Sequence, residues 1–263
     1  TIPLSVKWKY KVSASNSDFD FVEYGPNAYP SLLYNAMVNP LVGLSMQGVI
    51  WYQGENNTNR AKEYYHLFPA MINDWRKKWG KDFPFYWVQL ANYMDVVEVP
   101  SESLWAQVRE AQTQTLSLSH TGQAVIIDIG EAKDIHPKNK QEVGRRLALH
   151  ALHNDYGFSD VVCESPMPKT VRRVQDKIVV QFDNVADGLI VKNKYGYLMS
   201  FAGNDGVYKW VQAKVAGKDR VVLSCPDVID PVSVRYAWGD NPDDANLYNS
   251  VGLPATPFEI KIE

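Results

Sequence analysis

Cysteine is scarce in this chain: Cys163 and Cys225 are the two in 263 residues. That scarcity excludes a disulfide-built mini-protein and a four-cysteine zinc module, and leaves one bridge or none. Long apolar runs are also missing. A membrane-spanning helix needs roughly 18 consecutive apolar residues. The longest uncharged apolar run, around 38–52, is broken by Asn39, Pro40, Gly43, Ser45, Gln47 and Gly48. Positive charge is not in excess, with 27 Lys+Arg against 30 Asp+Glu, so no nucleic-acid partner is expected. There is no repeat, no low-complexity tract and no secretory h-region. The first residue is Thr1 rather than Met, which points to a removed leader or to the downstream part of a longer precursor.

What is present is the composition of a soluble globular protein, 45% apolar and 22% charged. The length suits one or two domains. The pattern changes near residue 160. Before it, strand-like runs alternate with helical ones, as in a parallel sheet covered by helices. The run 48–53 (GVIWYQ) reads as a strand, followed by a loop and a helix over about 59–79. In that helix Ala61, Tyr64, Tyr65, Phe68, Met71, Ile72, Trp75 and Trp79 recur at steps of three and four, and Gly80 is placed to end it. A second unit comprises a strand at 83–90 and a helix from about 101, with Leu104, Val108, Ala111 and Thr115 inward. A third comprises a strand at 124–129, a loop through Ile135, and a helix over 137–155 with Val143, Leu147, Ala151 and Leu152 inward. Pro137 suits a first helical position.

After residue 160 only short strands are expected, at 177–182, 189–192, 208–214, 220–224 and 232–237, separated by turns such as Asn204-Asp205-Gly206. This spacing suggests an antiparallel β-sandwich or β-cap. Residues 1–30 read as a strand at 6–12 followed by an irregular linker. Most of the 8 Trp and 15 Tyr fall on the helical stripes and strands, so core packing is their default role.

In open parallel sheets ligands bind beyond the carboxyl ends of the strands. Two loops occupy that position. In the first, Gln53, Asn56 and Asn57 offer amide donors, and Gly54 allows the backbone to approach a ligand; such donors stabilise an oxyanion. The plain alternative is a polar loop in which Asn57 or Thr58 caps the next helix. In the second, His136 follows Asp134 by two residues, the makings of a general base held by a carboxylate. The plain alternative is a surface histidine with Asp134 capping a helix. Glu55 and Asp134 could also act as a glycosidase carboxylate pair, although a salt bridge or a substrate hydrogen bond explains Glu55 as well. His150 and His153 lie three apart on one helix without an evident third ligand, so they read as solvent-facing rather than metal-binding. His66 reads as packing beside Tyr65, and His120 as a turn residue.

Four stretches carry a family resemblance: 30–40 (PSLLYNAMVNP), 48–57 (GVIWYQGENN), 127–147 (IDIGEAKDIHPKNKQEVGRRL) and 234–254 (VRYAWGDNPDDANLYNSVGLP). They resemble the sialate O-acetylesterases, a branch of the SGNH hydrolases. The resemblance implies a three-layer α/β/α flavodoxin-like core, incomplete at its N-terminus, with an antiparallel β-rich C-terminal region. The corresponding divisions are 1–29 for the strand and linker, 30–160 for the catalytic core, and 161–263 for the β-rich part. It implies a serine-histidine-aspartate esterase that removes O-acetyl groups from sialic acid or a related sugar. By position His136 is the base and Asp134 its orienter, although the superfamily more often spaces this Asp three residues before the His, where Lys133 stands here. Gln53, Gly54, Glu55 and Asn56 match the oxyanion and substrate-binding block. The family's serine lies in a GQSN-type motif on the first core strand, and Ser15, Ser17 and Ser45 all lack its context. An upstream segment or companion chain is therefore expected to carry the nucleophile, leaving this chain inactive alone. No cofactor and no metal are implied, and the substrate class suggests a secreted, periplasmic or lysosomal setting. The remaining alternatives are a glycoside hydrolase using Glu55 and Asp134, and a non-catalytic sugar-binding module.

Overall fold

The computed structural model describes Lys11, Gly25, residues 29–192 and residues 199–262. The strand expected at 6–12 falls almost wholly outside them. The chain divides into two compact units, Thr1–Ser45 and Met46–Glu263. In the first, a π-helical turn at Tyr34–Val38 leads into a 3-10 turn at Asn39–Leu41, and neither buries a residue. Leu32, Leu33, Met37, Leu41 and Leu44 are all exposed.

The second unit begins with the alternating pattern. Strands β1 (Val49–Trp51), β2 (Phe85–Val88) and β3 (Thr121–Ala124) form a sheet in the order β1-β2-β3. Both pairings are parallel, so the carboxyl ends of all three strands share one rim. Helices α1 (Ala61–Trp79) and α2 (Leu104–Gln114) follow β1 and β2, and α3 (Lys140–Asn154) follows β3. Side chains alternate across a strand, and here the alternation builds two cores. Phe85 and Trp87 join Phe68, Ile72, Trp105 and Val108 of α1 and α2 on one face. Tyr86 and Val88 join Val143 and Leu147 of α3 on the other. Each fully buried large apolar side chain contributes about 1.5–3 kcal/mol. The result is three layers, α/β/α.

The local signals worked where propensity and capping agreed. Gly80 adopts φ 61° and its N–H bonds the carbonyls of Arg76 and Lys77, closing α1. Other expectations require correction. The third strand starts at Thr121 rather than residue 124, because Thr121–Ala124 pair along Phe85–Val88 despite their polarity. Helix α3 starts at Lys140 rather than Pro137, because Asn139 is the cap, accepting the Glu142 N–H at 3.2 Å. Leu104, expected inward, is 51% exposed at the first position of α2. His150, expected to face solvent, is fully buried, and burial holds its pKa below the usual imidazole range.

Beyond α3 the chain forms two four-stranded antiparallel sheets. One has the order β4-β5-β10-β9, from Met167–Val174, Lys177–Asp183, Arg220–Ser224 and Gln212–Ala216. The other has the order β13-β11-β7-β8, from Phe258–Lys261, Ser233–Tyr236, Met199–Ala202 and Tyr208–Trp210. A two-stranded ribbon pairs β6 (Leu189–Val191) with β12 (Leu247–Asn249). The single strand expected at 208–214 is two strands in different sheets. Buried Val211 lies between them, its N–H bonded to the Met199 carbonyl. Ile178, Val180, Phe182 and Leu223 of one sheet and Phe201, Val234, Tyr236 and Phe258 of the other share one core, which also takes in Val125 and Ile127 from beyond β3. Both cysteines are free. Burial pushes the Cys163 thiol up to about 11.

One edge of the parallel sheet differs from the rest. Among the described residues, β1 pairs only with β2. Its Ile50 is 71% exposed, although strands of parallel sheets are normally covered on both faces.

Candidate active site

At the carboxyl end of β1 the backbone must turn sharply into α1. Gly54 makes the turn at φ 149°, a conformation that glycine adopts without steric penalty. A Cβ there would lie 3.3 Å from Gln112 Nε2 and from Leu90 Cδ2. The chain then runs through 3-10 turns at Glu55–Arg60. Gln53, just before the turn, is held firmly. The buried Tyr64 hydroxyl donates to Gln53 Oε1 at 3.1 Å, and Gln53 Nε2 donates to Asn57 Oδ1 at 2.8 Å. One N–H of the Gln53 amide has no partner among the described residues. Asn56 is exposed and has no side-chain hydrogen bond among the described residues. Glu55 is half-buried, and its carbonyl accepts the Thr58 hydroxyl at 2.9 Å. Burial, and then the Glu55 carboxylate, push the Tyr52 hydroxyl up to about 12, so Tyr52 stays a neutral phenol.

Two buried side chains that the sequence reading overlooked tie the strand ends together. Gln112 Nε2 donates to the Gln53 and Val88 carbonyls, each at 3.3 Å, and its Oε1 accepts the Leu90 N–H at 3.0 Å. It thereby links the ends of β1 and β2 from α2. The available signal was a polar residue on the inward stripe of that helix, between Ala111 and Thr115. Arg109, also fully buried, donates to the carbonyls of Leu90, Ala91, Gly239 and Asp240 at 2.6–2.9 Å. It fastens the end of β2 to the C-terminal region. No local pattern marks such a contact, because the partners lie some 130 residues away.

Beyond β3, Gly130 approaches the end of β2. Its N–H donates to Asn92 Oδ1 at 2.6 Å, and a Cβ there would lie 2.1 Å from the Asn92 carbonyl oxygen. Asn92 Nδ2 in turn donates to Asn241 Oδ1. The chain then reaches the histidine loop. Asp134 Oδ1 accepts the His136 backbone N–H at 2.9 Å, a side-chain turn of the Asx type. The same oxygen lies 3.8 Å from His136 Nδ1, with the imidazole 87% exposed. Asp134 therefore faces the ring without a direct hydrogen bond, and it does not cap α3. Nearby carboxylates are engaged elsewhere. Asp128 forms a two-pronged pair with the buried Arg146 at 2.6 and 2.9 Å, and Glu131 pairs with Lys138 at 3.2 Å.

Both loops follow strands of the parallel sheet. They leave the same rim, and Ile135 packs against the apolar cluster that contains Tyr64, the residue that holds Gln53. Lys140, opening α3, lies 4.8 Å from the centre of the Tyr52 ring. Gln53, Gly54, Glu55 and Asn56 are thus brought to the rim that carries Asp134 and His136. No hydrogen bond or ion pair joins Glu55 to Asp134 among the described residues. A cavity of about 1310 Å³ opens elsewhere, beside Trp210, Lys214 and residues 96–98 of the loop after β2, and neither site loop lines it. His66 is exposed. His120 lies 3.0 Å from Asp82. Among the described residues, no helix is long and apolar enough to cross a membrane.

Comparison with known proteins adds to this geometry. The profile of a family described as carbohydrate esterase, sialic acid-specific acetylesterase, matches residues 17–153. The sialate O-acetylesterase of Homo sapiens is 30% identical over 262 residues, covering 89% of this chain and 49% of the relative. That of Rattus norvegicus is 30% identical over 273 residues, covering 92% of this chain and 50% of the relative. Among solved structures, a carbohydrate acetylesterase from Xanthomonas citri superposes with a TM-score of 0.83 at 44% identity. The match covers 89% of this chain and 55% of that one. The chain thus spans about half the length of the curated relatives that it matches.

Proposed function

We propose, since this chain belongs to the sialic acid-specific acetylesterase family of carbohydrate esterases, that it supplies the base and oxyanion side of a sugar O-acetylesterase active site. The observation that carries this reading is the exposed His136 imidazole on the strand-end rim, with Asp134 3.8 Å away and the tethered Gln53 amide on the same rim. A serine hydroxyl from a preceding segment attacks the acetyl carbonyl, and His136 takes its proton. The Gln53 N–H steadies the resulting oxyanion. Collapse releases the sugar hydroxyl, which takes the proton back from His136, and leaves an acetyl-serine. Water, deprotonated by the same imidazole, then attacks the acetyl carbonyl, and the serine oxygen leaves with the proton from His136 as acetate is released. Asp134 orients the ring and balances its positive charge. The substrate class is an O-acetylated sialic acid or related sugar, in a secreted, periplasmic or lysosomal setting.

The open edge of β1 supports a preceding segment as the source of the serine. A strand pairing along Val49–Trp51 with a helix over Ile50 would cover what is exposed, and would place its own carboxyl end on the catalytic rim. The test uses the full-length protein and an O-acetylated sialic acid. His136→Ala should lower kcat about a thousandfold or more while leaving the unfolding midpoint unchanged. A fluorophosphonate should label a single serine outside these 263 residues. Near-normal turnover by His136→Ala, or labelling of a serine within this chain, rejects the reading.

A further inference from the structure

His150 raises a question apart from the esterase site. It lies ten residues along α3 from Lys140, about 15 Å at 1.5 Å per residue, away from the catalytic rim. Its ring stacks on Tyr86 with centroids 5.5 Å apart and lies over Gly122, where a Cβ would come 2.5 Å from Nδ1. Nε2 lies 3.1 Å from the Gln123 carbonyl. A carbonyl only accepts, so Nε2 carries the hydrogen and Nδ1 presents a lone pair. That lone pair is fully buried and has no hydrogen-bond partner among the described residues, a deficit of about 1–3 kcal/mol if nothing else meets it. What it faces is another acceptor: Glu164 Oε1 at 3.6 Å. The Cys163 sulfur completes the group, and the three potential ligand atoms lie within 4.8 Å of one another. Two lone-pair donors aimed at each other beside a thiol call for a cation between them.

We propose that His150 Nδ1, Cys163 Sγ and the Glu164 carboxylate bind a zinc ion that fastens α3 to the segment leading into β4. Nitrogen, sulfur and oxygen together suit zinc rather than calcium or magnesium, which take oxygen ligands. In a tetrahedral zinc site the ligand atoms are about 3.3–3.8 Å apart, given bonds of about 2.0–2.3 Å, and the nitrogen-to-oxygen distance here falls in that range. The Gln123 carbonyl supplies the outer contact that zinc-bound histidines regularly make through their second nitrogen. His153, one turn on, lies with Nδ1 2.8 Å from the Val161 carbonyl and so holds the ligand-bearing segment against the helix. Glu164 is 39% exposed, which gives the ion a path in and leaves the fourth position to water. Binding displaces the thiol proton to solvent, and no electron changes hands.

The experiment is equilibrium dialysis of the purified chain against zinc chloride, with bound metal counted by mass spectrometry. Cobalt absorption then identifies the ligands. One zinc per chain is expected, raising the thermal midpoint, and the cobalt form should show a thiolate-to-metal charge-transfer band. Cys163→Ser should abolish that band. Glu164→Gln, a partly exposed change that preserves shape, should weaken zinc binding tenfold or more. His136→Ala should leave zinc binding unchanged, which separates this site from the esterase loop. Absence of stoichiometric zinc in the wild-type chain overturns the proposal. So does zinc that survives both Cys163→Ser and Glu164→Gln, or zinc that is lost with His136→Ala.

Discussion

At the scale of single residues, Gln53 and Asn56 present the same chemistry in different states. Among the described residues, Gln53 is tethered at both ends of its amide and keeps one free N–H, whereas Asn56 is exposed and untethered. Oxyanion stabilisation depends on donors fixed before charge develops. In the full-length enzyme, Gln53→Ala should therefore lower kcat about 10²–10³-fold with little change in KM, and Asn56→Ala should stay within a few-fold; steady-state kinetics on an acetylated sugar decides between them. Gly130 and Gly144 form a second contrast. A methyl at 130 would collide with Asn92, whereas at 144 it meets nothing within 4 Å. Urea denaturation should find Gly130→Ala destabilised by about 1–3 kcal/mol and Gly144→Ala stabilised by up to about 1 kcal/mol, since alanine favours the helix.

At the scale of elements, α3 connects the rim to the sheet through charge. Glu142, in its first turn, accepts from Arg145 and Arg146, and Arg146 continues to Asp128 and the Val125 carbonyl. The hydrogen bond from Arg145 leads in holding the Glu142 carboxyl at about 2. A carboxylate whose folded pKa is depressed stabilises the fold above its unfolded pKa, and that stability disappears as pH falls through the folded value. The helix should therefore lose this contribution between about pH 4.3 and about pH 2. Urea midpoints measured across that window should fall for the wild type and flatten for Glu142→Gln. Asn139→Ala removes the cap and should cost about 1 kcal/mol by the same measurement. This helix start was misplaced at Pro137 because proline's fixed φ suits a first turn, while the cap that operates lies two residues later.

At the scale of the whole molecule, the proposed preceding segment can be tested at the exposed Ile50 and at the edge of β1 that is unpaired among the described residues. An isoleucine left in water gains nothing from its side chain, so Ile50→Asp in this chain alone should shift stability by no more than about 0.5 kcal/mol. If the proposed segment covers β1 in the full-length protein, the same change sets a charge against it, and esterase activity and thermal midpoint should both fall. Equal effects in the two settings would show that nothing covers β1. Hydrogen exchange should agree, with the outward amides of Val49–Trp51 slow in the longer protein and fast here.

The alternation of strands and helices up to residue 160 was legible because period-2 and period-3.6 patterns reflect local burial, and Gly80 declared the end of α1 through chemistry contained in a few residues. The turn after β1 was legible for the same reason, since it follows a recognisable strand, and the Asp134–His136 turn involves neighbours in sequence. Contacts between distant segments were not. Thr121–Ala124 form a strand only because Phe85–Val88 lie beside them, and the strand expected at 208–214 divides because Val211 turns into a core shared by two sheets. Gln112 and Arg109 matter through carbonyls that folding alone delivers. His150 looked like a surface residue for want of a third ligand, and Cys163 and Glu164 became its neighbours when the chain beyond α3 folded back. Sequence determined the elements and the local chemistry of the loops, since those depend on neighbours a few residues apart. Tertiary structure decided which buried polar groups meet, since that depends on distances the chain spans only when packed.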